Sequence, residues 1–188
     1  MNDTTNAWLA EYDRAIQRVA GITTGLSEAQ ANWKPAPKKW SITECMDHLN
    51  QSMGTYGACM APAIAKAKAK GKTGNAPYDR GTFIGRFILK TLKKGSGSNL
   101  PAPGVFKPTA SHFELASVRQ KLTNVLTGAG EMLKQADGLA MGKVVFGTPV
   151  SALVRVSLAQ AFELHAIHTH RHLDQMERVK QHADFPKA

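Results

Sequence analysis

Apolar residues recur at three- and four-residue spacing along four stretches of the chain, the period of a helix that buries one face. Trp8, Leu9, Tyr12, Ala15, Ile16 and Val19 predict a first helix from about Thr5 to Thr24, weakened at its end by Gly21 and Gly25. Met46, Leu49, Met53, Tyr56 and Met60 carry a second. Phe113, Leu115, Val118, Leu122, Val125, Leu126, Met132 and Leu133 carry a third, ended near Ala136 by Asp137-Gly138. Leu153, Val156, Leu158, Phe162, Leu164, Ile167 and Met176 carry a fourth, to about His182. A short helical turn is expected at Ser27-Glu28-Ala29-Gln30, and the prolines of Trp33-Lys34-Pro35-Ala36-Pro37 keep the next few residues out of helix.

The polar positions mark the ends. Ser41-Ile42-Thr43-Glu44 has the spacing of a capping box, with Trp40 placed to staple against Cys45. Pro62 and Gly71 argue for a kink and a stop in that helix. Ser111-His112-Phe113-Glu114 reads as a second box opening helix three. Thr148-Pro149 reads as an N-cap followed by proline at the first helical position, which starts helix four at Pro149. Lys143-Val144-Val145-Phe146-Gly147 is too short to assign, and no segment of strand period competes with the helices. The expected fold is all-α, a four-helix bundle in a single domain over 1–188, with a long connection between helices two and three. That connection, about 71–110, contains the breakers Gly95-Ser96-Gly97-Ser98 and Pro101-Ala102-Pro103-Gly104. It also contains an amphipathic stretch, Gly81–Lys94, whose stripe of Phe83, Ile84, Phe87, Ile88 and Leu92 needs burial.

Composition narrows the class. The 188 residues are 43% apolar and 20% charged, a globular balance. No apolar run reaches the ~18 residues of a membrane span, and the first residues lack the basic-then-apolar pattern of a secretory signal. Two cysteines, Cys45 and Cys59, both in helical pattern, make no disulfide framework, so a reduced cytoplasmic setting is expected. Charge is concentrated: ten basic residues and one acid, Asp79, fall between Met60 and Ala110, so nearly all of the net +10 lies there. Electrostatic partners belong to that segment, which includes Lys66, Lys68, Lys70, Lys72, Arg80 and Lys94.

The histidines carry the chemistry. Five of the seven lie in helix four or its tail. Taking His165 as 0° at 100° per residue, His168 falls at roughly 300° and His172 at roughly 340°, on one face. His170 falls near 140° with Glu163 near 160°, on the opposite, solvated face. His165 and His172 lie about 10.5 Å apart along the axis, too far to share one ion. The ligand pair is therefore His165/His168 or His168/His172, and the i,i+4 spacing of helical zinc sites favours the latter. A third ligand is needed from another inward face. His48 on helix two is the best placed; His112, at a helix start, is the remaining candidate.

Trp40-Ser41-Ile42-Thr43-Glu44-Cys45-Met46-Asp47-His48-Leu49 resembles the helix-two signature of the DinB/YfiT-like superfamily, with Trp33-Lys34-Pro35 as its lead-in. His168-Thr169-His170-Arg171-His172-Leu173-Asp174-Gln175-Met176 resembles that family's helix-four signature, entered through Gly147-Thr148-Pro149. The resemblance covers all four helices in order. It implies a four-helix bundle holding a divalent metal, zinc or nickel, by one histidine of helix two and two of helix four, which match His48, His168 and His172. It further implies a small-molecule substrate or a thiol cosubstrate, some relatives transferring or isomerising with thiols and others being suspected hydrolases. His165 and the basic insertion depart from the family's plainest pattern.

Three imidazoles leave a tetrahedral ion one open position, where a bound water or thiol loses its proton near neutral pH. Glu44, one turn before His48, is the candidate proton acceptor beside its capping role. Cys45 can ligate or pack, and Asp174 faces away from His172. The expected function is that of a metal-dependent thiol transferase or hydrolase acting on a small molecule, with the reaction itself left open. The alternative is a non-catalytic, stress-related metal-binding module that meets nucleic acid or an anionic membrane through the basic insertion. A homodimer is compatible with either. The insertion is expected to be dispensable for the core and to cover the site mouth or gate an anionic substrate.

Overall fold

The computed structural model describes residues 1–74, 81–93 and 102–187. The expected breakers Gly95-Ser96-Gly97-Ser98 and the charges of Asp79, Arg80 and Lys94 lie outside the described residues.

The molecule is mostly helical, with one small two-stranded sheet. Helix α1 spans Asp3–Thr23, the short α2 Glu28–Asn32, α3 Ile42–Ala69, α4 Phe83–Lys93, α5 Leu115–Ala136 and α6 Leu158–Lys180. A 3-10 turn, Gly104–Phe106, lies between α4 and α5. Strands β1 (Val145–Thr148) and β2 (Ser151–Ser157) lie between α5 and α6. Helices α1 and α3 each pack against both α5 and α6. Their facing stripes supply the core: Tyr12 and Val19 from α1, Met46, Leu49 and Met60 from α3, Leu122, Leu126 and Leu133 from α5, Phe162, Leu173 and Met176 from α6. Among the described residues no helix is long and apolar enough to cross a membrane.

Local chemistry explains the element ends. The Ser41 hydroxyl accepts from the Glu44 amide at 3.1 Å, and the Glu44 carboxylate accepts from the Ser41 amide at 2.9 Å, so α3 opens on a full capping box. Helix α3 runs on through Pro62 to Ala69. It stops at Gly71, whose φ of +59° lets the Lys72 amide reach back to the Ala67 carbonyl, a Schellman closure.

Two expected starts are corrected. Helix three does not open on Ser111. Its N-cap is Glu114, which makes no side-chain cap bond, and the Leu115 amide is instead taken by the Glu28 carboxylate at 3.0 and 3.1 Å. An anion from α2 thus fills the role that spacing assigned locally.

Helix four does not open at Thr148-Pro149. Those residues close a hairpin in which Val145, Phe146 and Gly147 pair with Ser157, Val156 and Arg155. Strand period thus wins in a segment where no strand was expected, and Leu153, counted on a helical stripe, is 87% exposed. Gly147 is required: a Cβ there would lie 2.8 Å from Ala152 Cα. Ser157, the last strand residue, is the true N-cap of α6 and forms a capping box with Gln160.

Helix α4 also departs from expectation. It packs on α6 and β2, yet buries Gly85 and Leu89 and leaves Phe83 76% and Phe87 64% exposed. The reason is Gln160. Its side-chain carbonyl accepts from the Thr82 amide at 3.0 Å as well as from the Ser157 amide, and its amide donates to the Thr82 carbonyl. A Cβ at Gly81 or Gly85 would collide with that side chain, so the glycine face docks inward and the phenylalanines turn out. Lys93 pairs with Glu163 of α6 at 2.6 Å. The connection is not all peripheral, since Phe106 is buried in the core.

Candidate metal centre

Helix α3 carries His48 two turns after its cap, and α6 carries His168 and His172 one turn apart on the face towards α3. His48 Nε2 lies 3.1 Å from His168 Nε2, and His172 Nε2 lies 3.1 Å from the same atom. One ligand atom from each of the three lies within 4.8 Å of the others. Nitrogens held about 2.0–2.1 Å from a tetrahedral ion stand roughly 3.3 Å apart, so the spacing suits one.

The remaining ring nitrogens fix the tautomers. His48 Nδ1–H donates to the Phe106 carbonyl at 2.5 Å, and His172 Nδ1–H donates to Gln175 Oε1 at 3.0 Å. Both rings therefore turn an Nε2 lone pair to the centre, as a metal ligand must. His168 Nε2 carries at most one hydrogen and cannot satisfy both lone pairs. The cluster thus has an electron-pair surplus that a cation fills, and the residues present fit a divalent metal.

The surroundings keep the rings neutral. Burial pushes His48 below its ordinary value against the opposing pull of the Phe106 carbonyl and Asp47. Burial, then the neighbouring imidazoles of His172 and His48, push His168 well down. Burial, then His48, bring His172 to about 3. Trp40 closes one side, its ring 4.7 Å from His48 and 5.9 Å from His172. The Phe106 carbonyl is held indirectly: Asp47 Oδ2 accepts from the Thr109 amide at 2.8 Å and from the Thr109 hydroxyl at 3.0 Å. Neither Phe106 nor Thr109 stands out in the sequence, because a backbone acceptor far along the chain leaves no residue signature.

The other candidates go elsewhere. His165 is not in the cluster; it lies against Tyr56, ring centres 5.2 Å apart, and neither of its buried nitrogens has a partner among the described residues. Burial brings it to about 4. His112 is exposed and outside the cluster. His170 is not on a solvated face. It meets α1, its Nδ1 accepting from Arg18 at 3.0 Å and its Nε2 lying 2.9 Å from Glu11. Asp174 pairs with Arg18 at 2.7 Å and does face away from the centre. Cys45 is fully buried and kept protonated by burial and by Glu44. Glu44 has both oxygens engaged, one on the Ser41 amide and one on Lys34 Nζ at 2.6 Å.

The three histidines, Glu44 and His165 line one cavity of about 1590 Å³, walled by α3, α4, α6 and the 102–110 segment. A family model, that of the DinB superfamily, matches residues 11–176. No curated protein and no solved structure matches the chain.

Proposed function

We propose, from the premise that the chain belongs to the DinB superfamily, that it binds one divalent transition metal, zinc or nickel, through His48, His168 and His172. The observation that carries this is the convergence of three Nε2 atoms, two of them presenting lone pairs fixed by Phe106 and Gln175. We take residues 1–188 as one four-helix-bundle domain, with about 71–110 as its basic insertion, in a reduced cytoplasmic setting. The activity proposed is a metal-dependent thiol transfer or hydrolysis on a small molecule. A metal bound there supplies Lewis acidity and lowers the pKa of a water or thiol at its open position.

The chain's own residues supply the rest. Phe106 and Gln175 orient two imidazoles. Trp40 and the buried wall of α3 limit water at the centre. Glu44 is the only acid lining the cavity among the described residues, and is the candidate proton acceptor once Lys34 releases it.

Elemental analysis of the untagged protein tests the metal. One equivalent per chain is expected, lost in the His168→Ala protein; full retention there overturns the assignment. For the activity, the visible spectrum of the cobalt-substituted protein is expected to shift when a low-molecular-weight thiol is added at neutral pH. A spectrum unmoved by several thiols removes the thiol reading.

One observation supports the second reading, docking on an anionic membrane: α4 exposes Phe83 and Phe87 beside Arg86 and Lys90. Cosedimentation with anionic vesicles, abolished in a Phe83→Ser/Phe87→Ser protein, would select it.

A further inference from the structure

The cavity over the histidine cluster contains a polar pair to which the metal centre gives no task. His165 stands three residues before His168 on α6, about 4.5 Å along the axis at 1.5 Å per residue. Tyr56 stands just over two turns after His48 on α3. Their rings meet edge to face, centres 5.2 Å apart and planes at 87°. Both line the cavity, yet His165 is only 3% and Tyr56 6% exposed.

Neither side chain is satisfied. Both nitrogens of His165 are buried without a hydrogen-bond partner among the described residues. The Tyr56 hydroxyl makes no hydrogen bond among them either; its ring is held between His165 and Phe106. Comparable groups nearby do find partners. Tyr12, deep in the core, donates to the Phe162 carbonyl at 3.2 Å. Ser52, one turn before Tyr56 and on the same cavity, donates to the Leu49 carbonyl at 3.2 Å. Buried polar groups left unpaired cost stability. Two of them side by side at a cavity wall, in a fold that pairs their neighbours, point to a ligand.

The character of the pair names the ligand's chemistry. Burial lowers His165 to about 4 and pushes Tyr56 up to about 12, so both are neutral at physiological pH. Together they offer a hydroxyl donor, a ring N–H donor and a ring nitrogen acceptor. Apolar side chains line the cavity with them: Phe87 and Ile88 of α4, Phe106, and Leu164 of α6.

We propose that Tyr56 and His165 form a subsite for an uncharged small molecule that carries a group both donating and accepting, of the carboxamide type, on an apolar body. The Tyr56 hydroxyl donates to the ligand's oxygen, and the unprotonated nitrogen of His165 accepts from its N–H. The imidazole comes to that N–H by turning about χ2, a soft torsion. Phe87, Ile88 and Phe106 take the apolar body. The subsite deepens the metal-dependent reading and rests on it only for calling the bound molecule a substrate.

The probe is benzamide, with toluene and benzoate as controls. Each is titrated into the full chain, chelator-treated and zinc-loaded, and followed by nuclear magnetic resonance of the backbone amides and the histidine ring nitrogens. Benzamide is expected to bind both forms saturably, at least about tenfold more tightly than toluene or benzoate. The His165 nitrogen signals should move with benzamide and not with toluene. Tyr56→Phe deletes one oxygen and keeps the ring packing. It should weaken benzamide about five- to tenfold and leave toluene unchanged, and His165→Leu should do the same.

Benzamide binding no tighter than toluene, benzoate binding more tightly than benzamide, or parent affinity in the Tyr56→Phe protein overturns the subsite even where one equivalent of zinc binds. Benzamide binding to the zinc-loaded form alone assigns the contact to the metal, and the subsite falls. Selective benzamide binding in a protein that takes up no metal removes the metal reading and leaves the subsite standing.

Discussion

Replacing His165 with leucine should stabilise the protein, and by an amount that grows in acid. Leucine has nearly the volume of histidine and no nitrogen to satisfy. At neutral pH the gain is the relief of an unpaired donor and acceptor, about 1–3 kcal/mol. The pH dependence follows from burial, which lowers the folded-state value from 6.5 to about 4. Between those values the unfolded chain carries a proton on residue 165 that the folded chain lacks. Acid therefore favours unfolding, and stability falls as pH drops from about 6.5 to about 4, below which the loss is complete. At ~1.4 kcal/mol per pH unit the full loss is about 3 kcal/mol, a sizeable part of a typical 5–15 kcal/mol domain stability.

Urea unfolding of the parent and His165→Leu proteins, both with chelator, followed by helical circular dichroism at about pH 7.5 and about pH 4.5, measures this directly. Chelator removes metal linkage, and the cluster histidines titrate in both proteins, so the difference reads residue 165 together with its electrostatic coupling to His168. The stability gap should widen by about 2.5 kcal/mol at the lower pH. Two curves that fall in parallel would refute the reasoning, because His165 would then titrate alike folded and unfolded.

Three further outcomes are expected. Asp47→Ala releases Thr109, and with it the Phe106 carbonyl that orients His48; zinc affinity by chelator competition should drop about 10–100-fold with helicity retained. Glu28→Ala removes the anion that takes the Leu115 amide at the start of α5 and should cost about 1 kcal/mol in urea unfolding, despite lying outside that helix. Gly128→Ala, on the exposed face of α5 with nothing within 4 Å of the new methyl, should stabilise by up to ~1 kcal/mol, whereas Gly147→Ala drives a Cβ against Ala152 backbone and should destabilise by about 1–3 kcal/mol. Changes of equal sign in the two glycine variants would contradict the hairpin register.

What was legible in the sequence was local. The Ser41–Glu44 box lies within four residues, and both halves of its hydrogen bonding are written there. Ser157-Leu158-Ala159-Gln160 has the same form, but Thr148-Pro149 offers an earlier start signal, and the apolar residues between 150 and 156 satisfy either period. The hairpin is decided by Phe146, buried where β1 crosses Val156, a pairing invisible along one strand. Ser111–Glu114 had the spacing of a cap and lost to Glu28, over eighty residues away, since a side chain that reaches an amide through space leaves no spacing rule. For the site, a wheel places His168 and His172 on one stripe and an inward helix presents His48, and the structure brings those three together. Phe106, Thr109 and the pairing of Tyr56 with His165 come from segments that meet only once the helices pack.

Gln160 makes the hairpin's end, the histidine helix and α4 into one thermodynamic unit. A single side-chain carbonyl closes the first turn of α6 and receives the Thr82 amide at the start of α4. Separation of α4 must leave that amide group turned to solvent beside a helix start it still caps. Fraying of the α6 start, in turn, takes away the acceptor on which α4 is seated. The two events are linked reciprocally: the free energy by which seating α4 steadies the α6 start equals that by which an intact α6 start steadies α4. The slowing of amide-proton exchange at Thr82 and Ser157 on filling the cavity should then be correlated, and a substitution at residue 160 would uncouple them while leaving each helix able to form.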